Sequence, residues 1–293
     1  MPQGAALGAA ERRRLAPLAA ALARIRAPGA PRLEPVMGAL IPRDGQPAGL
    51  LAGSFNPLTR AHAAIAVAGH RAGCDPVVLS MAPVSLAKEG VERAHPLDRL
   101  DWVCRWARRH SWAVVALASH PLLVDQAEAL RERLGTRAQV ALLLGSDKAA
   151  QLVEPHWYED LDAALERLGQ AASLLVAERA GYPPAELPLA VTALRLPAWA
   201  PERSSTEARS AAAAGQPLDH LVPAAVAAAI RRSAAYDPDP SAYQTRAAAL
   251  DALVGQGVTQ DVAQNVLEDA GGKQLAAPAP SGGAKTARGA WWS

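Results

Sequence analysis

The chain has 293 residues, half of them apolar, and a formal net charge of +2 at pH 7. This length allows one sizeable core with appendages, and so small a charge argues against a nucleic-acid-binding surface. No apolar run approaches the roughly 18 residues of a transmembrane helix, so we expect a cytoplasmic protein without a membrane partner. Cys74 and Cys104 lack metal-ligand spacing, and we expect both to pack as small apolar residues in a reducing compartment.

The alanine-rich composition of residues 1–46, with its arginines, predicts a helix that ends near Pro28 and Gly29 and is followed by a linker. Beyond the linker, short apolar strands alternate with helical stretches. Strands are predicted at 49–52, 76–81, 113–117, 139–144, 172–177 and 191–196, and helices at 60–72, 97–108, 125–133 and 158–168. This rhythm predicts an α/β fold, a Rossmann-like doubly wound parallel sheet with flanking helices and ligands at the carboxyl ends of the strands.

The first motif is LLAGSFNPLTRAH, residues 50–62. A buried strand ends at Gly53, a tight turn follows, and a helix begins whose first turn carries Thr59 and His62. Helix N-termini bind phosphate through unpaired N–H groups and a positive dipole end, and residues three apart share one helical face. The spacing is neither that of a P-loop nor that of a dinucleotide fingerprint. We therefore predict a nucleotide site here.

A second motif, LLLGSDKAAQLVEPHW, occupies residues 142–157. The predicted strand ends at Gly145, and Asp147 follows at a helix start, where a carboxylate either binds ribose hydroxyls or simply complements the helix dipole. Trp157 is suited to stacking on a flat heterocycle, and core packing is the alternative.

A third motif begins at residue 203 with RSSTEAR. Ser204, Ser205 and Thr206 are natural N-cap residues, which by themselves indicate a well-capped helix. Arg209 lies one turn inside that helix. A guanidinium there, with the helix N-terminal amides and hydroxyls, forms a group that binds phosphates and neutralises their charge.

GSFNPLTRAH resembles the signature of the nucleotidylyltransferase superfamily, and the three motifs in this order resemble the nicotinamide/nicotinate mononucleotide adenylyltransferases. The resemblance implies direct transfer of the adenylyl group of ATP to a pyridine mononucleotide, with Mg²⁺ accompanying ATP and no metal-ligating protein residues. It implies catalytic roles for His62, Thr59 and Arg209. It implies ATP binding by Gly53, Ser54, Phe55, His62, Gly145, Asp147, Ser204, Ser205, Thr206 and Arg209. It implies mononucleotide binding by Asn56, Lys88, Trp112, Trp157 and Arg179.

The motifs leave the acceptor open. Nicotinamide and nicotinate mononucleotide differ by one amide against one carboxylate. Another acceptor such as phosphopantetheine is an alternative, and so is a non-catalytic nucleotide-binding regulator on the same scaffold. A homo-oligomer is compatible with the sequence.

The resemblance covers about residues 48–232, so we assign 47–235 to the nucleotidylyltransferase domain, preceded by the helix and linker of 1–46. Residues 236–271 predict a short helical extension, two amphipathic helices around Gly255 and Gly257. Residues 272–293 are rich in Pro, Gly and Ser, a composition typical of disorder.

Overall fold

The computed structural model describes residues 7–83, 94–135, 137–182, 187–200 and 202–272. The helices are α1 (Ala9–Ile25), α2 (Arg60–Arg71), α3 (Pro96–Ala107), α4 (Leu123–Leu134), α5 (Ser146–Gln151), α6 (Leu161–Ala171), α7 (Ser205–Ala213), α8 (Ala224–Ser233) and α9 (Ser241–Gly272), with a 3₁₀ turn at Pro155–Trp157. The strands are β1 (Leu33–Met37), β2 (Ala48–Ala52), β3 (Val77–Met81), β4 (Ala113–Ala118), β5 (Val140–Gly145), β6 (Ser173–Ala177) and β7 (Val191–Leu194).

The strands form a seven-stranded sheet in the order β1-β4-β3-β2-β5-β6-β7. All neighbouring pairs are parallel except β1 with β4, which is antiparallel. The chain moves outwards from β2 in one direction through β3 and β4, then returns beside β2 as β5 and moves outwards in the other. This arrangement confirms the predicted Rossmann-like doubly wound fold.

The sheet is covered on both faces, which explains why its central strands read as continuous apolar runs. Consecutive residues of β2 show this, since Leu51 packs into the core cluster with α2, α3 and α8, and Leu50 packs into the opposite cluster with α4 and α6. Every residue of β3, β4 and β5 is buried. The helices therefore flank a rigid sheet whose carboxyl ends project beyond the core.

The segment predicted as a linker contains a strand. Leu33–Met37 pairs with β4 at the edge of the sheet, and its register shifts between Pro35 and Met37. A proline cannot donate to a strand ladder and is tolerated on an edge strand. The short run with an internal proline therefore did not predict a strand, although the edge of the sheet accepts one.

The C-terminal extension is also different from its prediction. Ser241–Gly272 is one long helix rather than two short ones, and it packs against α1. A Cβ at Gly257 would lie 2.9 Å from the Cα of Ala20, so this glycine permits close approach of two helices and does not break one. No helix of the described residues, α9 included, is long and apolar enough to cross a membrane.

Both cysteines are buried free thiols, as expected from their spacing. Burial raises the pKa of Cys74 to about 11 and that of Cys104 to about 12. Both therefore remain protonated at neutral pH and serve as small apolar core residues.

Candidate nucleotide site

A cavity of about 440 Å³ opens at the carboxyl ends of the strands. It lies over β2 and β5, where the strand order reverses and the following helices leave towards opposite faces of the sheet. Small-molecule sites typically enclose roughly 300–1,000 Å³, so the volume suits a nucleotide-sized ligand. The lining residues come mainly from the segments after β2, β4, β5, β6 and β7.

Thr59 and His62 line this cavity at the N-terminus of α2 and form a reciprocal cap. The backbone N–H of His62 donates to Thr59 Oγ1 at 3.3 Å, and the backbone N–H of Thr59 donates to His62 Nδ1 at 3.1 Å. Because a backbone N–H can only donate, Nδ1 accepts, and the neutral ring carries its proton on Nε2. The cap thus sets the tautomer and makes Nε2 the donor of the ring.

Thr59 itself is fully buried, and its hydroxyl lies 2.8 Å from Nδ1 of His62. The structure therefore places Thr59 behind the histidine, where it orients the ring. The sequence pattern had put both residues on one helical face directed at the ligand, whereas the hydroxyl is used for capping.

Gly53 and Phe55 form the turn that leads into α2. Phe55 is buried, has a positive φ of 42°, and places its ring edge against His62 with 5.3 Å between centroids. A Cβ at Gly53 would lie 2.8 Å from the Phe55 ring, so only glycine fits without a shift. Gly53 lines the cavity, while Phe55 supports the histidine from the core.

Asn56 is 1% exposed and does not line the cavity. Its Oδ1 accepts hydrogen bonds from the hydroxyl of Tyr236 at 2.8 Å and the backbone N–H of Ala94 at 3.2 Å. The predicted mononucleotide ligand is therefore an internal connector, which joins the α2 turn to the segments before α3 and α9. Capping and turn residues are read from sequence, but the partners of a buried amide are set by distant segments.

A second buried side chain holds the same turn. Arg99 of α3 is 2% exposed and donates from Nη1 to the carbonyl of Ser54 at 2.6 Å and from Nε to the carbonyl of Ala94 at 3.0 Å. Ser54 lines the cavity. Neither Arg99 nor Tyr236 was singled out from the sequence, because nothing local distinguishes a buried arginine or tyrosine from an exposed one.

The N-terminus of α7 meets that of α2 at the cavity. Ser204, Ser205 and Thr206 all line it. Ser204 Oγ caps α7 by accepting the N–H of Glu207 at 3.1 Å, and Ser205 Oγ donates to the carbonyl of Pro57 at 3.0 Å. Two motifs that are far apart in sequence therefore place two helix N-termini on one cavity, and both dipole ends favour an anion there. We call this part of the cavity, lined by Thr59, His62, Ser204, Ser205 and Thr206, the helix-terminus end.

Arg209 lies beside this end but is not among the residues that line it. Its Nη1 donates to the carbonyl of Asn56 at 2.9 Å and its Nη2 to Thr206 Oγ1 at 3.2 Å. The guanidinium thus fastens α7 to the turn before α2 and adds positive charge next to the two helix N-termini.

Gly145, Asp147 and Arg179 line the cavity after β5 and β6. Arg179 donates to the carbonyls of Ala200 at 3.2 Å and Arg203 at 2.7 Å, and its Nε lies 3.9 Å from Asp147 Oδ1. Arg179 therefore positions the segment that enters α7 and lies beside Asp147. The sequence assigned it to the mononucleotide, and the structure places it on the α7 side of the cavity.

Trp157 and Tyr158 line the cavity, as do Leu122 and Leu123 at the start of α4, and we call these four residues the aromatic end. The indole Nε1 donates to Glu154 Oε2 at 2.8 Å, which fixes one edge of the ring. Trp157 is partly buried. Its placement permits the stacking role that the sequence suggested.

Trp112 is not at the cavity. It precedes β4, so it lies at the amino end of that strand, and its ring stacks on His70 in the last turn of α2 at 4.6 Å between centroids. His70 is eight residues, or about 12 Å, along α2 from His62. The structure therefore places Trp112 away from the cavity to which its mononucleotide contact was assigned, because the residue before a parallel strand lies at the edge opposite to its carboxyl end. Lys88, assigned to the same ligand, lies outside the described residues.

Replacing Trp112 with leucine should lower the free energy of unfolding by about 1–3 kcal/mol, because the stacked contact with His70 and the edge contact with Trp106 are lost. Urea unfolding of both proteins measures this loss. The KM for an acceptor should be the same in the two proteins, and a rise in KM of tenfold or more would return Trp112 to the substrate site.

Lys148 and Gln126 also line the cavity, and sequence analysis missed both. Gln126 is buried and its amide donates to the carbonyls of His120 and Pro121, so it stabilises the loop before α4. Lys148 follows Asp147 directly, and that adjacency was the signal that could have found it.

The sequence matches no protein-family model and no curated protein. Among solved structures it is similar to nicotinic acid mononucleotide adenylyltransferase from Plasmodium falciparum complexed with NaAD, with a TM-score of 0.50 and 15% identity, over 65% of this chain and 97% of that one. The chain has the fold of that adenylyltransferase. The same enzyme complexed with APC matches 66% of this chain and 98% of its own with a TM-score of 0.48 and 15% identity. The predicted Rossmann-like α/β fold is thus confirmed.

Proposed function

We propose that the protein is an adenylyltransferase that joins ATP to nicotinamide or nicotinate mononucleotide and releases pyrophosphate. One observation carries the proposal: His62 from the first motif and Ser204, Ser205 and Thr206 from the third line a single cavity. The arrangement stands in a fold shared with an adenylyltransferase of known substrate class.

The chemistry requires little of the protein beyond positioning and charge. An oxygen of the mononucleotide 5′-phosphate attacks the α-phosphorus of ATP, the bond from that phosphorus to the bridging oxygen breaks, and pyrophosphate leaves. A phosphate monoester is already anionic at neutral pH, so no general base is needed. The donor that stabilises the developing charge is His62 Nε2–H, and the positive dipole ends of α2 and α7 add to its effect.

Mg²⁺ fits this site as a companion of ATP. Asp147 is the one carboxylate among the described residues that line the cavity, and no group of three metal-ligating side chains is found in the described chain. Magnesium is typically held by one or two carboxylates, substrate phosphates and water. In this site the phosphates of ATP and water would hold the ion, which would supply charge neutralisation.

The two ends of the cavity suit the two parts of the reaction. The helix-terminus end offers N–H groups and hydroxyls for the phosphates, and the aromatic end offers a flat apolar surface for a pyridine ring. Asp147 lies on the same segment as Trp157, after β5, and its carboxylate suits a ribose hydroxyl.

The proposal is tested by pyrophosphate release from ATP and Mg²⁺ with nicotinamide mononucleotide, nicotinate mononucleotide or phosphopantetheine at equal concentrations. Turnover with either pyridine mononucleotide supports it. Turnover with phosphopantetheine alone would replace the acceptor. ATP binding without turnover on any of the three would favour a nucleotide-binding regulator.

A further inference from the structure

Lys148 is a cation on the wall of the cavity. It lies in α5, and its Nζ donates to Gln151 Oε1 at 2.7 Å. No carboxylate forms an ion pair with it among the residues that the structure describes. An ammonium group has three N–H donors, so two are available in addition to the one that Gln151 accepts.

The surroundings of Lys148 make an anionic ligand favourable. Burial lowers the pKa of its ammonium group, and the more distant carboxylates of Asp147 and Glu154 oppose that shift. A partly desolvated cation gains more from a neighbouring anion than an exposed one does, since less water competes for it. Such an anion can reach Lys148 through the cavity that the lysine lines.

Lys148 is also connected to the aromatic end. Glu154, one of the two carboxylates that stabilise the charged ammonium, accepts the hydrogen bond from the Trp157 indole at 2.8 Å. Lys148, Gln151 and Trp157 line the same cavity. Lys148 and Trp157 therefore share Glu154 as a neighbour and line one cavity, which a ring stacked on Trp157 would enter.

We propose that Lys148 is a specificity-determining residue that binds the ring carboxylate of the acceptor and makes the protein prefer nicotinate over nicotinamide mononucleotide. The inference rests on the proposed function. A lysine can only donate, and both oxygens of a carboxylate accept with opposite charge. A carboxamide offers one neutral acceptor, and its NH₂ group cannot accept from the lysine.

The test compares kcat/KM for the two mononucleotides in the native chain and in Lys148→Met, which removes the charge at similar volume. The native chain should prefer nicotinate, and the variant should lose about 10- to 100-fold of that preference, the value of one charge-assisted hydrogen bond. Lys148→Arg should keep most of the preference. Gln151→Glu should reduce it, because the new carboxylate would pair with Lys148.

Arg133→Met is the matched control, since it removes one exposed positive charge from the last turn of α4 without touching the cavity. The ratio of its kcat/KM for nicotinate mononucleotide to that for nicotinamide mononucleotide should equal the ratio of the native chain. An unchanged ratio in Lys148→Met would overturn the role of Lys148 alone. An equal loss of kcat/KM with both acceptors would also overturn it, because the lysine would then bind the phosphate that the two acceptors share. No turnover of either acceptor by the native chain would overturn the proposed function itself.

Discussion

Replacing His62 with alanine should lower kcat for pyrophosphate release by about 10²-fold or more, with a smaller change in the KM for ATP. The ring donates from Nε2 because Nδ1 accepts from the Thr59 backbone at 3.1 Å, and a donor aimed at charge that develops in the transition state acts mainly on kcat. Steady-state kinetics with saturating acceptor measure both parameters. Near-native kcat in the alanine variant would remove His62 from the mechanism.

His62→Asn is the matched control for loss of the cap. The asparagine Oδ1 can take the place of Nδ1 as the acceptor for the Thr59 N–H, but the side chain is too short to present a donor at the position of Nε2. We therefore expect stability close to native, because the N-terminus of α2 remains capped, together with the same fall in kcat. An asparagine variant with native kcat would show that the histidine serves only as a cap.

The fold could be predicted because its signals are local. Strands buried on both faces appear in the sequence as short apolar runs, and the helices between them show apolar residues at helical spacing. The strands β2 to β7 and their order along the chain therefore follow from the sequence. The turn residues also act locally, since Gly53 is required by the Phe55 ring two positions on and Thr59 caps α2 with His62 three positions on.

The parts that could not be predicted depend on contacts between distant segments. β1 forms only because β4 offers an open edge, and α9 stays continuous through Gly257 because α1 packs closely against it. Asn56 lies in the sequence pattern of a ligand-binding turn, yet its side-chain oxygen accepts hydrogen bonds from Tyr236 and Ala94. Sequence spacing gives the position of such residues along an element, and tertiary packing decides what their polar atoms meet.

Trp112 departs from its expected position for a different reason. Its position before a parallel strand already placed it at the amino edge of the sheet, but the resemblance to a family pocket assigned it to the substrate. The predicted strand bounds alone place this residue away from the carboxyl ends of the strands, where ligands bind.

A network of hydrogen bonds and ion pairs next to the α2 turn centres on Asp98 of α3, which is fully buried. Its Oδ2 accepts from Arg246 Nε at 2.9 Å and from the Tyr243 hydroxyl at 2.7 Å, and its Oδ1 accepts from Arg246 Nη2 at 2.6 Å. Arg246 and Tyr243 belong to α9, and Arg246 also bonds Glu11 of α1 at 2.9 Å. The Arg246 guanidinium thus joins α9 to α3 and to α1, close to the segment that holds Asn56.

Replacing Arg246 with methionine should lower the free energy of unfolding by about 3–5 kcal/mol, because it leaves the Asp98 carboxylate buried without its cation. Domains are commonly stable by only about 5–15 kcal/mol, so urea unfolding should reveal the loss readily. The double variant Asp98→Asn with Arg246→Met removes both charges and keeps an oxygen acceptor for Tyr243, and it should recover much of the stability. If the double variant were as unstable as Arg246→Met alone, packing of the arginine stem would outweigh the buried charge. A loss below about 1 kcal/mol in Arg246→Met would mean that water replaces the guanidinium and that the apolar face and Tyr243 suffice to hold α9.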